Sequence, residues 1–260
     1  MEYDAIILAG GESSGELKKI APYDNEALII IGNYPMIYFV YQALRNTPKI
    51  NRIVVSGPID ALRNILPRED KLFFVNGGAD AIESFAHGVD FLNNMEPSNK
   101  ILAVPTDVPF LTSEAVSDFL ACCEKYEADF YYAFTSKEDN DRKYPGVIRT
   151  YVRLREGIFT GGNLFLVRSA VIPSCLEMGV KLTQRRKNPL AMAKLFGFGL
   201  VWSYLTGNLT IDMAEKRFAR VVGIKGKGII SRYAEVGVDV DKPEDLRLAQ
   251  QYLGEISFER

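Results

Sequence analysis

Short apolar runs separated by amphipathic stretches set the pattern of this chain. Ala5–Ala9, Arg52–Ser56, Leu72–Val75 and Ile101–Val104 are each short enough for a buried strand and too short for a stable helix. A further apolar run, Ala27–Ile31, is closed by Gly32-Asn33-Tyr34-Pro35. Met36–Arg45 then places Ile37, Val40, Tyr41 and Leu44 at helical spacing, with Pro35 suited to a first turn. Helical candidates also follow the second and third core runs, which gives β-α-β-α alternation. Such alternation predicts an α/β fold, a largely parallel sheet with helices on both faces. In such a sheet ligands collect outside the carboxyl ends of the strands.

Downstream the pattern loosens. Ala128–Phe134 reads as an aromatic-rich strand, Ser136–Lys143 as a solvated turn or short helix, and Arg149–Gly157 as an edge hairpin. Phe159-Thr160-Gly161-Gly162-Asn163 precedes a strand at Leu164–Val167. Residues 169–220 are mostly helical by pattern, interrupted at Pro189, Gly197, Gly199 and Gly207, with a basic cluster at Arg185-Arg186-Lys187. This region reads as a helical elaboration within a single domain spanning 1–260. The sheet is expected to resume at Val221–Ile224. It should end with a strand through Val238–Val240 that puts Asp239 and Asp241 on one face, before Pro243 starts a last helix.

Composition narrows the function classes. An apolar fraction of 47% and a charged fraction of 25% are those of a globular protein. The net charge of −2 supplies no global field for nucleic acid or an anionic membrane, so neither is expected as a partner. The three cysteines, Cys122, Cys123 and Cys175, have neither zinc spacing nor a disulfide framework and suit a reducing cytoplasm. Glu2 and Asp4 before a very short apolar run argue against a signal peptide. The uncharged stretch Leu195–Ile211 is too short and too rich in glycine and polar residues for a membrane span; it suits a buried helix pair or a homo-oligomer surface.

The candidate chemistry lies in the loops after the strands. Gly10 and Gly11 follow the first strand, and without a Cβ they let a ligand approach the backbone, with Ser13 and Ser14 adding hydroxyls. Gly10 and Gly15 have P-loop spacing, but Glu16-Leu17 follow where Lys and Ser or Thr are required. A dinucleotide fingerprint is excluded too, because the loop begins with adjacent glycines and does not open straight into a helix. After the third core strand, Asn76-Gly77-Gly78 leads to a helix through Ser84 and can admit a base or a phosphate, or be a tight turn. After the fourth, Asp107 is held between Pro105 and Pro109, while Thr112-Ser113-Glu114 supplies the next helix cap. That leaves Asp107 for a hard cation such as Mg²⁺. Arg149, Arg153 and Arg155 share one neighbourhood and suit an anionic acceptor or plain solvation. His87, the only histidine, has no ligand-spaced partner and reads as a helix-surface residue.

Taken in order, Leu8-Ala9-Gly10-Gly11-Glu12-Ser13-Ser14, Gly32–Ile37, Asn76-Gly77-Gly78, Pro105–Leu111 and Val238–Leu246 resemble the MobA-like NTP transferases, nucleotidyltransferases of the GT-A type. The resemblance implies a Rossmann-like GT-A fold with a mostly parallel mixed sheet flanked by helices. It implies that Leu8, Ala9, Gly10 and Gly11 wrap the donor triphosphate, with Asn76, Gly77, Gly78 and Ser84 near its base. Asp107 and Asp241 would hold Mg²⁺, with Asp239 as the fallback ligand. Thr160–Asn163 also looks like a motif of one MobA-like branch, so Gly162 and Asn163, with Arg153, are the candidates for the acceptor. The activity implied is Mg²⁺-dependent transfer of a nucleoside monophosphate from a nucleoside triphosphate to a phosphorylated small molecule, releasing pyrophosphate.

The chain departs from that pattern at two positions. The family usually has an Arg where this chain has Gly15, and a phosphate-binding Lys where it has Glu26. A carboxylate about 4 Å from a phosphate repels it by roughly 4 kcal/mol per unit charge at an effective dielectric near 20. Two readings follow. In one, the enzyme is active, Lys18 or Lys19 serves the phosphates and Glu26 points away. In the other, the chain is a nucleotide- or sugar-phosphate-binding protein of the same fold without transferase activity.

Overall fold

The computed structural model describes residues 1–185 and 197–258. Arg186, Lys187 and Pro189, and the first two residues of the uncharged stretch at 195–211, lie outside the described residues. In chain order the elements begin with β1 (Tyr3–Leu8), α1 (Gly15–Lys18), β2 (Ile30–Ile31), β3 (Tyr34–Pro35) and α2 (Met36–Arg45). Next come β4 (Ile50–Gly57), α3 (Ile59–Ile65), β5 (Leu72–Asn76), α4 (Ala81–Asn93), β6 (Lys100–Pro105) and α5 (Ser113–Cys123). They continue with β7 (Phe130–Ser136), α6 (Lys137–Lys143), β8 (Val152–Leu154), β9 (Gly157–Arg168) and α7 (Ile172–Arg185). The last are α8 (Phe198–Leu205), α9 (Ile211–Val222), β10 (Gly226–Ser231) and α10 (Pro243–Leu253).

Two compact units emerge, Met1–Asp118 with Val238–Arg260, and Phe119–Gly237. In the first, the parallel strand order is β6-β1-β4-β5. β1 is central and its side chains are almost wholly buried, which is why Ala5, Ile6 and Ile7 form an unbroken apolar run. The chain leaves β1 for β4 and β5 on one side, then returns through α4 to β6 on the other. That reversal is a topological switch point, and it brings the loops after β1 and β6 side by side. Helix α2 covers the sheet with Met36, Ile37, Val40 and Leu44 fully buried. The run Ala27–Ile31 makes a 3₁₀ turn, Glu26–Leu28, and then a small hairpin of β2 with β3, whose turn uses Gly32 at φ 58°.

A buried ion pair fixes the amino end of β1. Asp4 is wholly buried and accepts from Arg52 Nε and Nη2, each at 2.8 Å, and from Ser98 N–H at 2.7 Å.

In the second unit β10 runs parallel to β7, while β7 and β8 are each antiparallel to β9. The overall class is therefore the expected one, α/β with mostly parallel, mixed strands flanked by helices. Three local expectations need correcting. The strand expected at Val221–Ile224 begins at Gly226, because α9 runs to Val222 and Gly223, at φ 81°, ends it with a left-handed cap. Thr160–Asn163 lies inside β9 rather than before it. Its two glycines sit opposite a register shift between Tyr132 and Phe134, where a Cβ on Gly162 would come within 2.8 Å of the Ala133 carbonyl oxygen. Finally, Val238–Asp241 belongs to no strand. The Val240 N–H donates to the Asp107 carbonyl at 2.7 Å instead of to a ladder partner.

Among the described residues no helix is long and apolar enough to cross a membrane.

Candidate functional site

The switch point of the first unit gathers most of the residues singled out from the sequence. Leu8 ends β1, and its carbonyl accepts from Thr106 N–H at 3.3 Å, so the glycine loop and the Asp107 loop leave the sheet together. The Ala9 N–H is tied to Ser56 O at 2.7 Å. A Cβ on Gly10 would lie 3.2 Å from Ser84 Oγ, and one on Gly77 would lie 3.6 Å from the Gly10 Cα. Ser84 is buried and accepts from Gly78 N–H at 3.0 Å. Gly10, Gly77, Gly78 and Ser84 are thus one cluster. Asn76 ends β5; its carbonyl meets His87 Nδ1 at 2.9 Å, which gives the only histidine a packing role.

Three carboxylates converge next to this cluster. One ligand atom from each of Asp107, Asp239 and Asp241 lies within 4.8 Å of the other two. Asp107 arrives on the loop after β6, and Thr112 Oγ1 caps α5 by accepting from Ala115 N–H, so Asp107 is spared that duty. Asp239 and Asp241 come from the segment at 238–241, in which the alternate residues Val238 and Val240 are buried. The alternation expected of a strand therefore survives without the strand. The Asp245 carboxylate accepts from the N–H groups of Asp241 and Lys242 at the start of α10. Ser14 Oγ donates to the Asp241 carbonyl at 3.1 Å and accepts from Leu17 N–H, joining the glycine loop to the acidic segment.

The electrostatics of this group are unbalanced. Asp107 Oδ1 is buried and has no hydrogen-bond partner, and the same holds for Thr106 Oγ1 and Ser13 Oγ beside it. Burial, followed by the charges of Glu26, Asp239 and Asp241, holds the Asp107 carboxyl well above the usual carboxylate range. Glu26 is a fourth acid in this field: burial, then Asp241 and Asp239, push its carboxyl up to about 7. Its position answers the question left by the sequence. Glu26 Oε1 lies 2.0 Å from where a Cβ on Gly11 would sit, and the Glu26 N–H donates to the Gly11 carbonyl. Glu26 faces the glycine loop; it does not point away.

Clustered carboxylate oxygens, one of them buried and unpartnered, are the donor set of a hard divalent cation. The residues present therefore fit the metal that the resemblance implies. Lys18 pairs with Asp24 at 3.0 Å, and Lys19 is exposed. In the second unit Arg153 is exposed on β8, opposite Ile158. Gly162 is packed on Ala133, and Asn163 Nδ2 donates to the Val236 carbonyl at 3.3 Å.

A model of the MobA-like NTP transferase domain matches residues 5–193, most of the chain and the whole β1-to-Asp107 portion of the site. The chain belongs to that family. A hypothetical transferase from Thermus thermophilus is 31% identical to this MobA-like chain, with a TM-score of 0.81; the match covers 95% of this chain and 100% of that one. Two more distant structures share the fold. One is 4-diphosphocytidyl-2C-methyl-D-erythritol synthase from Anaerococcus prevotii, at 15% identity and a TM-score of 0.59, covering 97% of this chain and 96% of that one. The other is CMP:2-keto-3-deoxy-manno-octonic acid synthetase, solved with CTP, at 13% identity and a TM-score of 0.58, covering 98% of this chain and 99% of that one. No curated protein matches the MobA-like chain in sequence.

Sequence reading missed the direction of Glu26, for which the only signal was its position one residue after a capping Asn25.

Proposed function

We propose that this chain is a Mg²⁺-dependent nucleotidyltransferase that moves a nucleoside monophosphate from a nucleoside triphosphate to a phosphorylated small molecule, with loss of pyrophosphate. The observation that carries the reading is the unpartnered Asp107 Oδ1 among three converging carboxylates beside the glycine loop. Asp107, Asp239 and Asp241 would hold the cation. Bound there, it supplies charge neutralisation for the phosphates. The rest falls to the chain. Gly10 and Gly11 let the triphosphate approach the backbone, and Gly77 and Gly78, held by Ser84, leave room for the base. Lys18 and Lys19 are the side chains closest in sequence to the loop that can meet phosphate charge. The solvent-exposed pair with Asp24 holds Lys18 only weakly. Arg153, Gly162 and Asn163 are the candidates for the acceptor. The reaction needs positioning and charge compensation more than covalent chemistry from the protein.

Glu26 fits this reading through its proton. With its carboxyl pushed up to about 7, first by burial and then by Asp241 and Asp239, it is protonated roughly half the time at neutral pH in the cation-free protein, and a cation on those aspartates would lower that share. Protonated, it repels no phosphate and donates an O–H to a phosphate oxygen. The ionised state supports the second reading, a nucleotide- or sugar-phosphate-binding protein without transferase activity, because it sets a negative charge against Gly11.

The test is a thermal-shift panel of the four ribonucleoside triphosphates, each with and without Mg²⁺, on the wild type and Asp107→Ala, followed by pyrophosphate release with candidate acceptors. A ligand at about a hundred times its Kd adds roughly 2.7 kcal/mol of stability. A shift from one triphosphate that needs both Mg²⁺ and Asp107 identifies the donor. Equal pyrophosphate release by the wild type and Asp107→Ala would overturn the metal assignment. Activity appearing only in Glu26→Lys would favour the binding-protein reading.

A further inference from the structure

The second unit contains a cavity of about 370 Å³ whose lining includes none of the residues assigned above to the transfer reaction. It lies between the sheet face of β7, β9 and β10 and the helices α8 and α9. Its walls include Phe134, Leu154, Phe159, Leu200, Ala214 and Phe218. Glycines on β10 let the rings lie close to the strands: a Cβ on Gly228 would come within 2.5 Å of Phe134, and one on Gly226 within 2.5 Å of Phe218.

Among the described residues the polar side chains in the wall have partners. Thr160 Oγ1 donates to the Thr150 carbonyl at 3.0 Å. The Glu215 carboxylate accepts from Gly228 N–H at 2.9 Å and pairs with Lys227 at 2.9 Å. Lys227 also lies over the Tyr126 ring, 4.8 Å from its centroid. None of these lining groups is an unpartnered buried polar atom. A nucleotide base, a sugar or a phosphate entering here would lose its hydrogen bonds to water and would have to compete for groups that already have partners. An occupant without polar groups loses nothing.

Size and surroundings sharpen the choice. The volume accommodates about twelve water-sized groups, and a methylene is of similar size. Helix α8, which contributes Leu200, is apolar and carries Trp202 and Leu205 at the surface, 69% and 71% exposed.

We propose that this cavity binds the aliphatic chain of a single-chain amphiphile, whose head remains in solvent. The inference does not depend on the nucleotidyltransferase reading, since every residue in it belongs to the second unit.

The test uses dansyl-undecanoic acid with the full chain. Trp202, the only tryptophan, lies two residues from Leu200, so energy transfer to the dansyl group reports binding, and the cavity variants locate it. The wild type should bind one probe per chain saturably. Competing n-alkanols should tighten by about fourfold per added methylene and level off when the cavity is full, near twelve carbons at roughly one water volume each. Alkyl carboxylates and alkyl phosphates of the plateau length then distinguish a fatty-acid source from a phosphate-headed lipid. Ala214→Phe fills the cavity and Leu200→Glu puts a carboxylate in its wall. Each variant, where it retains a cooperative melt, should weaken the probe by at least about fifteenfold, the equivalent of two lost methylenes. The absence of saturable binding, affinity that rises with chain length without a plateau, or unchanged binding in a folded variant would overturn the proposal.

Discussion

Replacing Glu26 with glutamine should stabilise the cation-free protein above neutral pH and leave it almost unchanged in acid. In the folded chain the Glu26 carboxyl is raised from 4.5 to about 7, first by burial and then by Asp241 and Asp239. In the unfolded chain it ionises around 4.5, so between 4.5 and 7 the folded state binds more protons. Stability therefore falls as pH rises through that window and levels off above it. At about 1.4 kcal/mol per pKa unit the full loss is about 3 kcal/mol, and partial solvent access brings it nearer 2 kcal/mol. Glutamine carries no charge at any pH and removes this component. The assay is urea unfolding of the wild type and Glu26→Gln in a chelator, from below pH 4.5 to above pH 7. The two stability curves should coincide at the acid end and separate by about 2 kcal/mol at the alkaline end. Asp107 is displaced in the same direction, so some decline should persist in the variant. Added Mg²⁺ should narrow the gap, because a bound cation offsets the charge that glutamine removes. Parallel curves in the chelator would refute the placement of Glu26 in the acidic field.

Asp107→Asn should raise the melting temperature of the cation-free protein at neutral pH and abolish its response to Mg²⁺, since it removes a carboxylate that burial and three acids disfavour; thermal shift with and without Mg²⁺ checks both effects. Gly11→Ala forces the Glu26 carboxyl aside and should cost about 1 kcal/mol. The same change made in Glu26→Ala should cost almost nothing, and a double-mutant cycle in denaturant reads the difference. Asp4→Ala should destabilise the protein by about 3 kcal/mol in urea, because it strands the Arg52 guanidinium and the Ser98 N–H.

What was legible in the sequence followed the physics of burial. A strand buried on both faces must be apolar at every position, so Ala5–Ala9 and Ile101–Val104 announced β1 and β6 within a residue or two. Helix α2 appeared with its observed bounds, because its periodic apolar face is bracketed by Pro35 and Asn46. Breaker residues misled where packing overrides propensity. The glycines of Thr160–Asn163 suggested a loop before a strand, whereas in β9 they accommodate a shifted register and close backbone contact.

The candidate site was legible as parts but not as a field. Gly10, Gly77 and Asp107 each follow a strand, and an α/β sheet sends such residues to one edge whatever their separation in sequence. Which loops become neighbours depends on strand order, and the placement of β6 beside β1 is a tertiary fact with no local signature. Glu26 shows the consequence. As one letter it is an acid in place of a lysine and argues against phosphate. In the fold its carboxyl is buried beside Asp239 and Asp241, and burial first, then their charges, push it up to about 7 in the cation-free protein. The surroundings that make the substitution look forbidding also favour the neutral form that makes it tolerable. Triphosphate binding measured across pH in a chelator should therefore separate this chain from its Glu26→Lys variant: the wild type should weaken as pH climbs through about 7 and Glu26 ionises, while lysine, charged throughout that range, should hold its affinity. A wild-type affinity that rises through the same window would show that the neutral carboxyl plays no part in binding phosphate.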